Sequence, residues 1–243
     1  MRDLLAKYGK IAPLRADEEA EIRDLAMAKR HFGAGTNLVI GELDEPDQLF
    51  IVEKGRLFAS VDLPGGERAI TRLYFPGDIV GTANIPFERA THTVTISTAA
   101  DLYIFPRSRL VQAFHSMPRL AAIFYTFAAM ENAILNDRLV SVGRTRGIAR
   151  LAALLMEICA RQNLLHTPPE RDFSLGLTQA QIADAIGLTE VQVSRLFREL
   201  MAMGLIVRHG RNVEIIDKPR LIEIGQFVDR YDDLDLEWFS EGG

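Results

Sequence analysis

Cysteine is almost absent: Cys159 stands alone in 243 residues. One thiol cannot close an intramolecular disulfide. Nor can it supply the four thiolates of an iron–sulfur cluster or build a Cys-rich zinc site. Apolar runs long enough to span a bilayer are missing too, because charges break every candidate stretch. Met1–Lys10 is mixed and charged and lacks the apolar core of a secretory signal. No G-x-S-x-G, P-loop or H-E-x-x-H pattern occurs. These absences predict a protein of the reducing cytoplasm, with no membrane partner, no metal and no enzymatic activity.

What is present is ordinary globular composition, 48% hydrophobic and 25% charged, with room for two modest domains. The net charge of −5 argues weakly against a nucleic-acid partner, but it is unevenly spread. Residues 1–143 carry 16 basic against 18 acidic side chains, residues 144–216 carry 9 against 7, and residues 217–243 carry 3 against 8. The acidity therefore sits mostly at the C-terminal end. All nine basic residues of the 144–216 block are arginine, whose planar fork suits phosphate.

Along the chain, residues 16–30 read as a helix, with an acidic first turn at Asp17, Glu18 and Glu19 and with Ile22 and Leu25 inward. From His31 to about Pro106, short β-rich runs alternate with glycine and proline turns. The runs are 37–40, 48–53, 56–62, 68–75, 91–97 and 101–105, and the punctuation includes Gly41, Pro46, Gly55 and Pro64-Gly65-Gly66. This spacing predicts an antiparallel sandwich or small barrel.

A long helix follows from about Met117 to Val142, with Ser116 as the expected N-cap and Pro118 in its first turn. One stripe carries Ile123, Phe127, Met130 and Ile134. A second runs Ala121, Tyr125, Ala128, Asn132, Leu135, Leu139, Val142, alternating steps of four and three like a coiled-coil seam. Two stripes need two partners, so the second is expected to meet another copy of the chain, with Asn132 setting register. Gly143 is expected to interrupt the helix. An amphipathic helix over 147–162 would then bury Cys159 as a small hydrophobe, and 163–174, with Pro168-Pro169, reads as a loop.

The most informative stretch is LTQAQIADAIGLTEVQVSRLFREL, Leu177–Leu200. Thr178 and Gln181 form one capping box, Gly187 ends the first helix, and Thr189 and Gln192 form a second box. Two capped helices around a glycine turn make a helix-turn-helix. The outward face of the second helix is Glu190, Val191, Ser194, Arg195 and Arg198. Arg195 can pair with guanine, Val191 can touch a thymine methyl, and Glu190 can accept from cytosine. Gln192 can reach phosphate or a base edge, and Thr178 and Gln179 can hold phosphate at the first helix's amino end. Two strands, 204–207 and 212–216, follow around Arg208-His209-Gly210-Arg211. They read as a wing whose Arg208 and Arg211 face the DNA backbone.

With the FGAGT turn, the FIVEKGRLFAS strand pair and FPGDIVG, these motifs make residues 14–216 resemble a CRP/FNR-family transcription regulator. The resemblance implies an α+β chain. Residues 1–116 would be a cyclic-nucleotide-binding-like antiparallel β-roll, jelly-roll-like, and 117–143 a dimerisation helix. Residues 144–216 would be a winged helix-turn-helix and 217–243 an acidic tail. It also implies a homodimer on pseudo-palindromic double-stranded DNA, and contact with RNA polymerase. In the family's cyclic-AMP sensors a Gly-Glu pair opens the phosphate cassette. Here Gly81 is followed by Thr82, and Arg89-Ala90-Thr91 matches the second element only in part, so cyclic AMP is not the expected ligand. Arg89 could pair with another anion, and Asn132 falls near a ligand-reaching position of the family's helix. The FNR cysteine cluster is absent. His31, His92 and His115 lack the spacing that would mark a haem ligand. Two other readings stay open: a metal-dependent cupin-like enzyme with an appended helical domain, and a cyclic-nucleotide-responsive module of a non-DNA protein.

Overall fold

The computed structural model describes residues 1–39, 47–164, 172–232 and 234. Gly41, Pro46, Pro168, Pro169 and the acidic tail from 235 onward lie outside the described residues. The chain divides into two units. Residues 1–61 and 72–132 belong to the first, residues 62–71 and 133–231 to the second.

The first unit opens with a helix not read from the sequence, α1 (Arg2–Ile11). Its one buried charge, Lys7, pairs with buried Asp78, which also accepts from the Phe75 backbone amide. Tyr8 packs in tilted contact with Phe124 and Phe127 at centroid distances of 5.0 and 4.3 Å. That neutralised lysine is what permits a charged segment to dock on an aromatic surface. Helix α2 (Ala16–Leu25) starts at its acidic first turn but stops five residues short of the expected end. Ala28–Phe32 is instead strand β1, paired residue for residue with Ala100–Ile104. Tertiary pairing overrides the helix-forming Ala-Lys-Arg run there.

Strands β2 (Asn37–Val39), β3 (Gln48–Asp62), β4 (Arg68–Tyr74), β5 (Ile79–Val80) and β6 (Thr93–Pro106) complete an antiparallel sheet. Its order is β1-β6-β3-β4, with β2 on β6 and β5 on β3. Two pairs of expected short strands are thus single long ones. Gly55 was expected to separate two runs, yet it bends one strand: register slips on both sides of Lys54, and Gly55 sits at φ +93. A Cβ there would lie 2.4 Å from the Ala99 carbonyl oxygen, so only glycine fits the crossing. Phe50, Val52, Leu57, Tyr74, Val94 and Leu102 are at the centre of the hydrophobic core that the sheet's strands contribute. Each such burial contributes about 1.5–3 kcal/mol.

Helix α3 (Arg107–Ser116) precedes the long helix α4 (Pro118–Arg144). Ser116 ends α3, donating to the Gln112 and Ala113 carbonyls, so it is not the N-cap of α4. Gly143 does not interrupt α4 either. The helix runs one residue further, where glycine in a last turn costs little, and Thr145 closes it by donating to the Ser141 carbonyl at 2.7 Å. The inner stripe is buried at Ile123, Phe127 and Met130, with Ile134 half-buried.

In the second unit, α5 (Gly147–Asn163) is the central helix, and Cys159 is buried in it. Burial pushes its thiol up from the ordinary range. A short strand, β7 (Asp172–Ser174), stands where a loop was expected and pairs with the wing. The region read as tail begins with helix α8 (Lys218–Gly225), capped by Asp217 and packed on α5. Gly225 is pressed against the Ala153 backbone so closely that a Cβ would sit 2.7 Å away.

Candidate nucleic-acid interface

Helix α6 (Gln179–Ile186) and helix α7 (Glu190–Ala202) take the expected bounds and caps. In the first box, Gln181 N donates to Thr178 Oγ1 at 3.2 Å and Thr178 N to Gln181 Oε1 at 2.8 Å. In the second, Gln192 N donates to Thr189 Oγ1 at 3.3 Å and Thr189 N to Gln192 Oε1 at 2.9 Å. Gly187 adopts the left-handed conformation that turns the chain between the helices. Ile182, Ala183 and Ile186 of α6 and Val193, Leu196, Phe197 and Leu200 of α7 are buried, as the 3.6-residue period demands, whereas Met201, which the same spacing places on the inner face, is exposed in the last turn.

The opposite face of α7 is open. Glu190, Val191, Gln192, Arg195 and Arg198 are exposed and Ser194 is half-buried. Val191 is 79% exposed at the amino end. Arg195 and Arg198 make no ion pair or hydrogen bond among the described residues. Gln179 is committed elsewhere: its side-chain amide donates to the Glu190 carbonyl at 2.9 Å and ties the two helix starts together. Strands β8 (Ile206–His209) and β9 (Asn212–Ile215) form the wing, with β7 on its outer side. Arg211 is exposed at its tip. Arg208 folds back, its guanidinium 4.0 Å from the centroid of the Phe197 ring and its Nε donating to the Gly210 carbonyl. Burial lowers its pKa below the usual arginine range. Arg208, expected to face the DNA backbone, is half-buried and braces the wing against α7.

Two family models match the chain: a cyclic nucleotide-binding domain over residues 29–117 and a Crp-like helix-turn-helix domain over residues 149–224. The transcriptional regulatory protein btr of Bordetella pertussis is 28% identical over 213 residues, 87% of each chain. The transcriptional activatory protein AadR of Rhodopseudomonas palustris is 27% identical over 216 residues, 89% of this chain and 87% of its own. The chain belongs to the CRP/FNR family of transcription regulators. The solved structure of FixK2 from Bradyrhizobium japonicum shares the fold at a TM-score of 0.73 and 20% identity, covering 81% of this chain and 96% of that one.

Within this CRP/FNR-family regulator, the segment compared with the family's phosphate cassette starts at Gly81, left-handed at φ +98, followed by a 3-10 turn over Thr82–Asn84. Thr91 donates from its amide and its hydroxyl to Asn84 Oδ1 at 3.0 and 2.9 Å, which closes the cassette on itself. Asn84 is fully buried, and its Nδ2 has no partner among the described residues. Ala90 is buried beside it in sequence, and Arg89 is already engaged. His92 bonds Thr91 through Nδ1, and its pKa is lowered by burial first and by the Arg72 charge second. Asn84 was missed by sequence reasoning, which weighed only positions matching the family cassette. The second stripe of α4 is uncovered: Tyr125 is 69% and Leu139 71% exposed, and Ala128, Asn132, Leu135 and Val142 are exposed beside them.

A further contact had no sequence signal. Arg68, at the tip of the β3–β4 hairpin, donates from Nε and Nη2 to Asp184 Oδ2 on α6 at 2.9 and 2.7 Å. Among the described residues no group of three or more His, Cys, Asp or Glu is arranged to hold a metal. No described helix is long and apolar enough to cross a membrane.

Proposed function

We propose that this regulator acts in the cytoplasm as a homodimer that reads a pseudo-palindromic promoter site through α7. The observation that carries this reading is the outward face of α7, where two unpaired arginines and an exposed valine stand on a doubly capped helix. Arg195 would contact guanine, Val191 a thymine methyl and Glu190 a cytosine amine, with Ser194 and Gln192 beside them. Thr178, Thr189, Arg198 and Arg211 would hold phosphate, and Gln179 would fix the helix start from which those contacts are made. The uncovered Tyr125–Val142 stripe would pair with its copy. That pairing would set two recognition helices about 34 Å apart, one turn of DNA. RNA polymerase would be the further partner.

The roll would respond to a small effector at Gly81, Thr82, Arg89, Ala90 and Thr91. Thr82 offers no carboxylate to a ribose, which favours an effector other than cyclic AMP. The buried, unpaired Asn84 amide supports a ligand that carries an acceptor. Selection from a genomic promoter pool at moderate salt tests the DNA reading. Wild type should enrich a two-fold-related motif and Arg195→Ala should lose the preference while keeping weak general binding. A wild-type protein without preference over competitor DNA refutes it.

A further inference from the structure

After α8 the chain turns back at Gln226, the one non-glycine residue with positive φ among those described, and residues 226–231 run as a strap. The strap is tied down at two points. Arg230 pairs with Asp137 through two bonds of 2.7 and 2.8 Å, and Tyr231 lies 4.9 Å under the Arg161 guanidinium. Beneath it, within the second unit, is a cavity of about 170 Å³ walled by the end of α4, by α5, by the end of α6 and by the strap. A cavity of roughly 150 Å³ suffices for a benzene ring.

The wall is mixed in a specific way. Ile134, Leu154, Phe227 and Val228 supply apolar surface. Its charged groups are four arginines against three carboxylates. Arg138 and Arg230 are answered, by Glu157 and Asp137. Arg150 is not: its partners are the Thr145 carbonyl at 3.1 Å and the Ile186 carbonyl at 3.3 Å, with no carboxylate among the described residues. Those two carbonyls end α4 and α6, so the guanidinium is held rigidly while its full charge stays uncompensated. A fixed fork over an apolar hollow matches a carboxylate on a compact hydrophobic body.

We propose that this cavity binds a small organic acid, an aromatic or branched-chain carboxylate whose anionic head pairs with Arg150. Its body would lie against Leu154, Ile134 and Val228. The ligand would then touch the α4–α5 junction at Thr145 and the last turn of α6 together. A site there gives the DNA-binding unit an input of its own.

The test is a fluorine NMR titration of the full chain, without DNA, with 4-fluorobenzoate and its neutral counterpart 4-fluorobenzamide. Its outcome is thus separate from promoter recognition. Fluorobenzoate should bind saturably. The amide, and fluorobenzoate on Arg150→Gln, should each bind at least about 10-fold more weakly, the worth of a charge-assisted hydrogen bond. Leu154→Phe, which fills the hollow and keeps the charge, should weaken binding likewise. It stands in for Arg150→Gln if loss of the two carbonyl bonds unfolds that variant. The proposal is overturned if fluorobenzoate does not saturate below about 10 mM. It is equally overturned if the amide binds as well as the acid, or if folded Arg150→Gln or Leu154→Phe binds like wild type.

Discussion

Gly55 allows a prediction whose magnitude can be worked in two parts. It lies in the continuous strand β3 at φ +93, and a Cβ would meet Ala99 O at 2.4 Å and Ala100 Cα at 2.7 Å. Replacement by alanine therefore adds backbone strain of about 1–2 kcal/mol. It also forces two strands apart, with an overpacking cost of about 1–3 kcal/mol. Gly35 separates the two contributions. It sits at φ +86 in the same unit, with open space where its Cβ would be. Gly35→Ala should show the strain alone. Gly55→Ala should lose about 2–5 kcal/mol, a large part of a typical domain stability of about 5–15 kcal/mol. Urea unfolding of both variants, followed by circular dichroism, gives the difference directly. Equal midpoints for the two would refute the argument that the β3–β6 crossing tolerates no side chain.

Thr189→Ala removes one acceptor of the second capping box and should cost about 0.5–2 kcal/mol, read as a lower urea midpoint with an unchanged unfolding slope. Leu139→Asp places a charge in the uncovered stripe of α4. Sedimentation should then show a shift from dimer to monomer and a loss of promoter binding, with the helical content intact. His92 has a folded pKa below its usual value of about 6.5, so the unfolded chain binds the extra proton first. Stability should therefore fall as pH drops below about 6.5, and His92→Gln should flatten that slope in thermal melts between about pH 5 and 7. A slope unchanged in the variant would assign the acid sensitivity to other groups.

The helix-turn-helix was legible almost to the residue because its signals are local. Thr178 with Gln181, Thr189 with Gln192, and Gly187 between them each report on backbone within four positions. The strands were legible as apolar alternation, but their lengths were not. Gly55 reads as a break, and only pairing with β6 shows that the chain crosses it unbroken. The same non-local pairing turns Ala28–Phe32 into a strand. Helix α1 escaped notice because its docking rests on Lys7 meeting Asp78, 71 residues away. Arg208 looked like a plain phosphate contact, since nothing in Arg-His-Gly-Arg reveals the Phe197 ring beneath it. Arg68 meeting Asp184, and Arg150 standing without a carboxylate, are likewise facts of three-dimensional neighbourhood.

Between residues 144 and 216 there is no lysine; every positive side chain is a guanidinium. Arginine keeps its proton throughout the biological pH range. The unit also offers no ε-amine there to acylating or glycating reagents, so amine-directed modification cannot erase its charge. Control that acts through these arginines has to pair them or move them, because lysine acylation has no target in this stretch.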